Sequence, residues 1–288
     1  MSSSLPNVFG RAYVISRSVK DVSRHSAFHA SARQAGLHVE TFEAIDKDDL
    51  VFGSSYTERL IMDGYITRDR INRPGTLACA LSHFNIWHRV MVENSTEPTL
   101  IFEDDTQFPP GFLPILSTFF AHLQPPWDMA LLNHNNLEGS PVGRAWIRAK
   151  PLTLEHMGGI NGMQNAYLVN VRGARRMLHA VLPFNASAPL SKDNLMKLHY
   201  QRDIDAVFLR CCLATQSHSK SVRSDGEAKG LVDLMYKAHT HGRTLLPTAT
   251  SAFNASASQR QKLYAEKTCA QSSPCTSCEA LLSELPRL

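Results

Sequence analysis

Three consecutive carboxylates, Glu103-Asp104-Asp105, directly follow the short apolar run Thr99-Leu-Ile-Phe. Three negative charges at the end of a buried strand repel one another and lose hydration unless a cation lies near them. In an extended backbone Glu103 and Asp105 point to the same side, so this pair, or one carboxylate with a water, can hold a hard divalent cation. A metal bound there would bridge two phosphate oxygens. The alternative is an acidic exit from the strand in which one residue caps the next helix.

The elements that must position these carboxylates alternate between strands and helices. Hydrophobic spacing and Gly or Pro punctuation predict strands at 12–16, 37–42, 99–102, 128–132 and 165–169. The same patterns predict helices near 24–35, 77–93, 112–123 and 174–182. This alternation predicts an α/β fold with a mostly parallel central sheet flanked by helices, and with ligands bound at the carboxyl ends of the strands.

The predicted helix 77–93 carries two neighbouring apolar stripes, which indicates that it is deeply packed. Cys79 and His83 lie on one face of this helix at i and i+4, a spacing that can bind a metal. Two ligands without a nearby third do not make a zinc site. We therefore favour His83 as a core histidine that is hydrogen-bonded near the acidic motif.

Charge and hydropathy exclude several classes of function. The 288 residues contain 30 Lys and Arg against 26 Asp and Glu, a formal net charge of +4, and the basic residues are scattered. No nucleic-acid partner is therefore expected. No window approaches the roughly 20 apolar residues of a membrane span, and the first residues lack the apolar region of a secretory signal. We expect a cytoplasmic protein without a transmembrane segment, or a piece of a longer chain that can also work in a lumen.

The composition changes near residue 244 to Ser, Ala, Thr and Gln. We predict one domain over 1–243 and a low-complexity tail over 244–288 that contains Cys269, Cys275 and Cys278. The six cysteines do not form the pattern of a disulfide framework. Three thiolates without an obvious fourth ligand favour a mobile, thiol-rich tail over a structural zinc site.

Five segments occur in the order seen in glycosyltransferase family 25, and together they cover about residues 11 to 225. They are Tyr13-Val-Ile-Ser-Arg, Phe42-Glu-Ala-Ile-Asp, Arg73-Pro-Gly-Thr-Leu-Ala-Cys-Ala-Leu-Ser-His, Leu100-Ile-Phe-Glu-Asp-Asp and Asn165-Ala-Tyr-Leu-Val-Asn-Val-Arg-Gly-Ala. The chain thus resembles a family that includes bacterial lipooligosaccharide galactosyltransferases and animal collagen hydroxylysine galactosyltransferases.

The resemblance implies a GT-A-like nucleotide-sugar-binding fold and an inverting transfer, commonly from UDP-galactose, to a carbohydrate or glycosylated acceptor. It also implies Mn²⁺, or Mg²⁺ in its place, on the acidic motif, with Glu103 and Asp105 as the ligands. In lipopolysaccharide-building members of the family the acceptor is itself a saccharide.

Several positions depart from the family pattern. In its usual block Gly-Glu-x-Gly-Cys-x-x-Ser-His, this chain has Thr76 in place of the Glu and Ala78 in place of the second Gly. Lys47 follows Asp46 where the family continues with Gly, and the segment from Gly162 to Tyr167 matches only loosely. These changes leave the fold expectation intact and bear on activity.

The donor contacts that follow from this resemblance involve residues near the acidic motif. Arg17 and Arg24 can neutralise a diphosphate, although both can also simply face solvent. Asp46 can accept hydrogen bonds from a ribose or base, or can be only a turn residue. With His83 and the carboxylates Glu103, Asp104 and Asp105, the residues Arg17 and Asp46 form the predicted donor-binding set.

A second acidic element, Arg202-Asp203-Ile204-Asp205, precedes the apolar run Ala206-Val-Phe-Leu. An inverting transfer needs one base to take the proton of the acceptor hydroxyl. Asp203 or Asp205 is the predicted base or acceptor contact, and the alternative for Asp203 is a helix N-cap. Glu155 and Asp225 are weaker candidates.

Two other functions stay open at this stage. A catalytically inactive relative would serve as a carbohydrate-binding or adhesion module; the lost Glu at Thr76 favours it, and the intact acidic motif opposes it. A nucleotidyltransferase on a similar fold would release pyrophosphate instead of a nucleoside diphosphate.

Overall fold

The computed structural model describes residues 8–134, 137–152, 164–184, 191–216 and 278–285. The strands are β1 Arg11–Ser16, β2 Glu40–Glu43, β3 Thr99–Glu103, β4 Thr106–Gln107, β5 Met129–Leu131, β6 Gly139–Val142, β7 Trp146–Ala149, β8 Ala166–Val169, β9 Ala206–Leu209 and β10 Thr215–Gln216. The α-helices are α1 Val22–Gln34, α2 Ser55–Met62, α3 Pro74–Glu93, α4 Phe112–Ala121, α5 Val171–Val181, α6 Lys192–His199 and α7 Cys278–Glu284. Short 3₁₀ helices span Lys47–Asp49 and Arg68–Asn72.

Eight of these strands form one central sheet in the order β2-β1-β3-β8-β5-β9-β7-β6, and β4 pairs with β10 in a small separate ribbon. β1 runs parallel to β2 and β3, and β5 runs parallel to β9. β8 and β7 run antiparallel to both of their neighbours. Six of the eight strands therefore point in one direction, which confirms the predicted mostly parallel α/β sheet. We call the edge where β1, β2, β3, β5 and β9 end the carboxyl edge, and the opposite one the amino edge.

The sheet separates two apolar cores because successive strand residues point to opposite faces. On one face Tyr13, Ile101 and Tyr167 pack with residues of α3, α5 and α6. On the other face Val14, Leu100 and Phe102 pack with residues of α1, α4 and α7. Strands covered on both sides must be continuously apolar, which explains runs such as Leu100-Ile-Phe. Each fully buried Leu, Ile or Phe contributes about 1.5–3 kcal/mol of hydrophobic stabilisation.

Helix α3 begins at Pro74, three residues before its predicted start, because proline at the first position has no N–H to leave unpaired. It ends at Glu93, and the next residue, Asn94, caps it in the left-handed conformation with φ of 49°. Most positions of the two predicted stripes are buried, but Cys79 and Met91 are only partly buried and His88 is exposed. The first turn of α3 lies toward the carboxyl edge and its last residue, Glu93, contacts Tyr13, so the helix carries His83 across the sheet.

The sequence patterns missed α2, the β6–β7 hairpin and α6, and β2 begins at Glu40 rather than at residue 37. The buried positions of α6 include Lys192, Lys197 and His199. Three polar residues in buried positions hide the apolar period that would have revealed this helix.

The end of the predicted tail is part of the folded domain, which corrects the expectation of a mobile, thiol-rich segment. Cys278 forms a disulfide with Cys211, and Cys212 is disulfide-bonded as well. Leu281 of α7 is fully buried in the core that also contains α4. The prediction of no disulfide framework did not anticipate this bond, because the fold brings distant cysteines together in a way that their spacing does not indicate. The predicted boundary at residue 243 lies outside the described residues.

Across the described ranges, no helix combines the length and apolar character needed to cross a membrane.

Candidate active site

The three carboxylates of the acidic motif lie at the carboxyl edge, where β3 ends and the chain turns into β4. Asp104 accepts a hydrogen bond from the Ser16 hydroxyl at the end of β1, with an O–O distance of 2.8 Å. The Arg24 guanidinium, from α1, pairs closely with the other oxygen of Asp104 and lies 3.8 Å from Asp105. Burial raises the pKa of Asp104, and Arg24 and Ser16 oppose that rise. Asp104 is thus already bound by protein groups.

Glu103 is held from the opposite side by the buried ammonium of Lys192, the first residue of α6. Lys192 Nζ lies 2.5 Å from Glu103 Oε1 and also donates to the carbonyl of Gln164 at 3.1 Å. Burial alone would raise the pKa of Glu103, but the Lys192 charge and the His83 contact hold it well below its usual range. The pKa of Lys192 is raised because Asp193 and Glu103 overcome the effect of burial. Lys192 is a site residue that the sequence analysis missed.

His83 lies in a buried hydrogen-bonded chain beneath the motif. Trp87 Nε1 donates to the Tyr167 hydroxyl at 2.9 Å, and that hydroxyl lies 2.7 Å from His83 Nδ1. The hydroxyl has one proton, so it donates to Nδ1 and leaves Nε2–H to donate to Glu103 at 3.3 Å. Burial first, and then the Lys192 charge, lowers the pKa of His83 to about 4. The expectation of a core histidine bonded near the acidic motif is confirmed.

Cys79, His83 and Glu103 place three ligand atoms within 4.8 Å of one another. The third ligand that the sequence did not reveal is therefore present in space. The ammonium of Lys192 nevertheless contacts Glu103 and repels a dication at that position, so this triad is a poor zinc site.

Asp105 differs from its two neighbours in having a buried oxygen with nothing to bind. Its Oδ2 accepts from Gln216 Nε2 at 2.7 Å, which the β4–β10 ribbon places there. Its Oδ1 is buried and has no hydrogen-bond partner among the described residues. Burial, followed by the Glu103 charge, raises the pKa of Asp105 to about 6. An unpaired buried carboxylate oxygen costs free energy that a bound cation would recover.

Asp46 and Arg17 are brought together at the ends of β1 and β2. Asp46 Oδ1 accepts from the backbone N–H of Asp48 at 2.8 Å, and Oδ2 lies 3.0 Å from Lys20 Nζ and 3.4 Å from Arg17. Burial would raise the pKa of Asp46, but these donors lower it. Asp46 therefore caps the start of the 3₁₀ helix Lys47–Asp49, which fits the alternative in which it is a turn residue. Its contact with a ligand stays a prediction.

Asp203 and Asp205 lie at the amino edge, at the opposite end of the sheet from the acidic motif, so the structure does not bring the two predicted acidic elements together. Ala206 is level with Met129 and, through Val169, with Thr99 at the start of β3. Glu103 lies four residues after Thr99 along β3, which at roughly 3.3 Å per residue places it about 13 Å along the strand from Thr99. The sequence contained the signal for this, because both aspartates precede β9 whereas the acidic motif follows β3.

Protein groups already bind both of these aspartates. Asp203 pairs with His199 at 2.6 Å and with Arg202 at 2.8 Å, and Asp205 lies 3.6 Å from Arg148. Asp203 begins no helix, so the alternative of a helix cap was wrong. The weaker candidates Glu155 and Asp225 lie outside the described residues.

Residues 10–196 match the family model of glycosyltransferase family 25, described as an LPS biosynthesis protein. The chain belongs to glycosyltransferase family 25. The matched range contains the acidic motif, Lys192 and Asp193, and ends before Asp203 and Asp205. The amino-edge aspartates therefore fall outside the family match as well as outside the site.

Curated relatives of this family 25 chain include active and inactive proteins by name. It is 26% identical over 157 residues to a probable inactive glycosyltransferase 25 family member 3 of Bos taurus, covering 50% of this chain and 26% of that protein. It is 27% identical to a glycosyltransferase 25 family member of Anopheles gambiae, covering 55% and 28% of the two chains. It is 26% identical to the procollagen galactosyltransferase 1-B of Xenopus laevis, with coverage of 55% and 28%. The match thus spans about a quarter of each relative's length.

Proposed function

We propose that this chain is a metal-assisted glycosyltransferase that transfers galactose from UDP-galactose, with inversion, to a hydroxyl of a carbohydrate or other hydroxylated acceptor. Membership of glycosyltransferase family 25 supports the reaction class. The names of the Xenopus and Danio rerio procollagen galactosyltransferases support the choice of galactose.

The observation that carries this proposal is the unpartnered Oδ1 of Asp105. It is buried beside Glu103, in a motif of three carboxylates where Asp104 is satisfied by Ser16 and Arg24. Asp105 would hold Mn²⁺ or Mg²⁺ through this Oδ1, since hard divalent cations prefer oxygen ligands, and Glu103, whose charge Lys192 already pairs, would be the weaker second ligand. When bound, such an ion supplies positive charge that stabilises a departing diphosphate.

The donor would lie along the carboxyl edge, where ligands bind in open α/β sheets. Arg17, Lys20 and Arg24 follow β1 and supply three positive charges near the acidic motif. In this proposal the Arg24 guanidinium turns partly away from Asp104 to face the diphosphate. Asp46 binds the ribose or base. The chain's own groups bind and orient the nucleotide, and the buried chain from Trp87 to Glu103 keeps the motif in place.

The proposal is tested by release of UDP from UDP-galactose and UDP-glucose, with Mn²⁺, with Mg²⁺ and with a chelator. Metal-dependent release that prefers UDP-galactose supports it. Pyrophosphate as the product would instead identify a nucleotidyltransferase, and equal turnover in chelator would remove the metal from the proposal.

An inactive, carbohydrate-binding relative is the second candidate, and the ion pairs of the motif favour it. Arg24 on Asp104 and Lys192 on Glu103 already neutralise two of the three carboxylates. Relatives from Bos taurus, Rattus norvegicus, Mus musculus and Homo sapiens are named inactive or probable inactive. This candidate predicts no metal-dependent binding of UDP, which calorimetry with UDP and Mn²⁺ measures directly.

The predicted cytoplasmic location competes with a lumenal one, and the disulfide between Cys211 and Cys278 favours the lumenal alternative. Structural disulfides persist in oxidising compartments and are rare in the cytosol. We propose that the protein works in an oxidising compartment. Mass spectrometry of the protein recovered from its own cells, with thiols blocked at lysis, should find Cys278 inaccessible to the blocking reagent.

A further inference from the structure

Asp193 is a carboxylate at the carboxyl edge that neither the sequence patterns nor the named relatives single out. It lies in the first turn of α6, after Ser191, whose hydroxyl caps the helix by accepting from the Asn194 N–H at 3.2 Å. Its Oδ1 is 3.0 Å from Lys192 Nζ, the same atom that lies 2.5 Å from Glu103 Oε1. One buried ammonium thus joins Asp193 to the acidic motif.

We propose that Asp193 is the base that accepts the proton of the acceptor hydroxyl, an inference that rests on the proposed glycosyl transfer. The acceptor oxygen forms a bond to the anomeric carbon as its proton passes to the Asp193 carboxylate. The bond from that carbon to the diphosphate oxygen breaks, and UDP leaves with the electron pair. Each atom and charge in this step is supplied by the donor, the acceptor and Asp193.

The carboxylates of the acidic motif and Asp46 already have other partners or roles. Asp104 is bound by Ser16 and Arg24, and Asp46 by Lys20, Arg17 and the Asp48 N–H. Glu103 and Asp105 face the proposed metal, and a base that is also a metal ligand would lose its basicity.

Asp193, in contrast, has an oxygen available. Its side chain is 34% exposed, and no described group bonds its Oδ2. The contact through Oδ1 fixes the carboxylate beside the motif while Oδ2 stays open to an acceptor hydroxyl. A general base needs this combination of fixed position and free lone pair.

The alternative is a purely structural role, in which Asp193 only stabilises the amino end of α6, where acidic residues interact favourably with the helix dipole. That role would affect thermal stability and leave the chemistry unchanged. The two roles are therefore separable by experiment.

The test uses Asp193→Asn, Asp193→Ala and the matched control Asp205→Asn, which changes an aspartate at the amino edge. UDP binding with Mn²⁺ is measured by calorimetry, and transfer by UDP release with saturating acceptor. We expect both Asp193 variants to bind UDP within about twofold of the unmodified protein and to transfer about a hundredfold more slowly or worse, the scale for losing a general base. The control should match the unmodified protein in both measurements.

Azide sharpens the result, because it is already an anion and attacks the anomeric carbon without a base. Azide should restore release of UDP from UDP-galactose in Asp193→Ala, with the glycosyl azide as product, and should add little in the unmodified protein. Melting temperatures verify that each variant is folded, and Asp193→Glu, which keeps the charge, should recover part of the transfer rate.

Normal transfer by Asp193→Asn would overturn the inference, and so would loss of UDP binding, which would place Asp193 in the donor site. A slow Asp193→Ala variant that azide does not restore would also overturn it. If the unmodified protein itself neither binds UDP with metal nor releases it from UDP-galactose, the proposed function has failed instead.

Discussion

Two groups of buried acidic residues lie at opposite edges of the sheet, and protein groups satisfy them to different degrees. At the amino edge Asp128 is completely buried, yet its Oδ1 pairs with Arg172 at 2.5 Å and its Oδ2 with Arg176 at 2.7 Å and the Asp205 N–H at 2.9 Å. At the carboxyl edge Asp105 is equally a buried carboxylate, but its Oδ1 has no partner in the part of the chain that the structure describes.

The difference separates a carboxylate that the fold itself satisfies from one that has an oxygen without a partner among the described residues. Asp128 joins the start of β5 to α5 and to the turn before β9, so its charge serves the packing of three elements. Gln216 holds Asp105 through Oδ2, and Oδ1 has no hydrogen-bond partner among the described residues. Burial of a carboxylate is therefore weak evidence of function, whereas a buried oxygen without a described partner needs an explanation such as a bound ion or water.

The largest expected effect is on stability at the amino edge. Asp128→Ala removes two ion pairs and the acceptor of the Asp205 N–H, and should lower the free energy of unfolding by roughly 2–4 kcal/mol. This decrease is smaller than that expected for breaking a fully buried ion pair, because both arginines are half exposed. Urea unfolding measures it. A loss well under 1 kcal/mol would show that Asp128 is not the structural carboxylate of this comparison.

Asp105→Asn should behave in the opposite way. It removes an anionic ligand and keeps the shape of the side chain, so Mn²⁺-dependent affinity for UDP and turnover should fall by roughly tenfold to a hundredfold. The melting temperature should hold or rise, because active-site charges are often kept at a cost in stability. Titration calorimetry measures the affinity for UDP, and differential scanning calorimetry on the same preparation measures the melting temperature. Unchanged Mn²⁺-dependent activity would remove Asp105 from the metal site.

Asp205→Asn tests the position of the second acidic element. Since Asp205 lies at the amino edge, donor binding and transfer should both stay within about twofold of the unmodified protein, far from the hundredfold loss of a base. Initial rates of UDP release decide this. A hundredfold loss in a variant that melts normally would contradict the separation of the two edges.

Asp203→Asn should produce the smallest effect, and one that depends on pH. Burial would raise the pKa of Asp203, but His199 and Arg202 lower it, so its stabilising contribution is present above the unfolded pKa near 3.9 and is lost as pH falls through the folded value. Asp203 and Arg202 are partly exposed, although His199 is buried, so the loss at pH 7 should be about 0.2–1 kcal/mol. The difference between the unfolding curves of the variant and the unmodified protein should be larger at pH 7 than at pH 2.5. An equal difference at both values would mean that the charge of Asp203 is not involved.

Much of the fold was predictable because its strongest elements have local signals. Helix α3 has two apolar stripes, so its type follows from periodicity, whereas the type of β3 and β8 follows from the short length of their apolar runs and the polar residues that bound them. Helix α6 was missed because lysines and a histidine occupy its buried positions. Their burial depends on partners such as Glu103, which is 89 positions away in the chain.

For the candidate site, the sequence by itself determined the acidic motif at the end of a buried strand and a core histidine beneath it. It also determined, through the order of its motifs, membership of glycosyltransferase family 25. Only the tertiary structure decided that Lys192 neutralises Glu103, that Gln216 binds one oxygen of Asp105 while no described residue binds the other, and that Cys211 reaches Cys278. The physical reason is that periodicity and strand ends are local properties of a chain, whereas the partners of a buried charge are chosen by how distant elements cross the sheet.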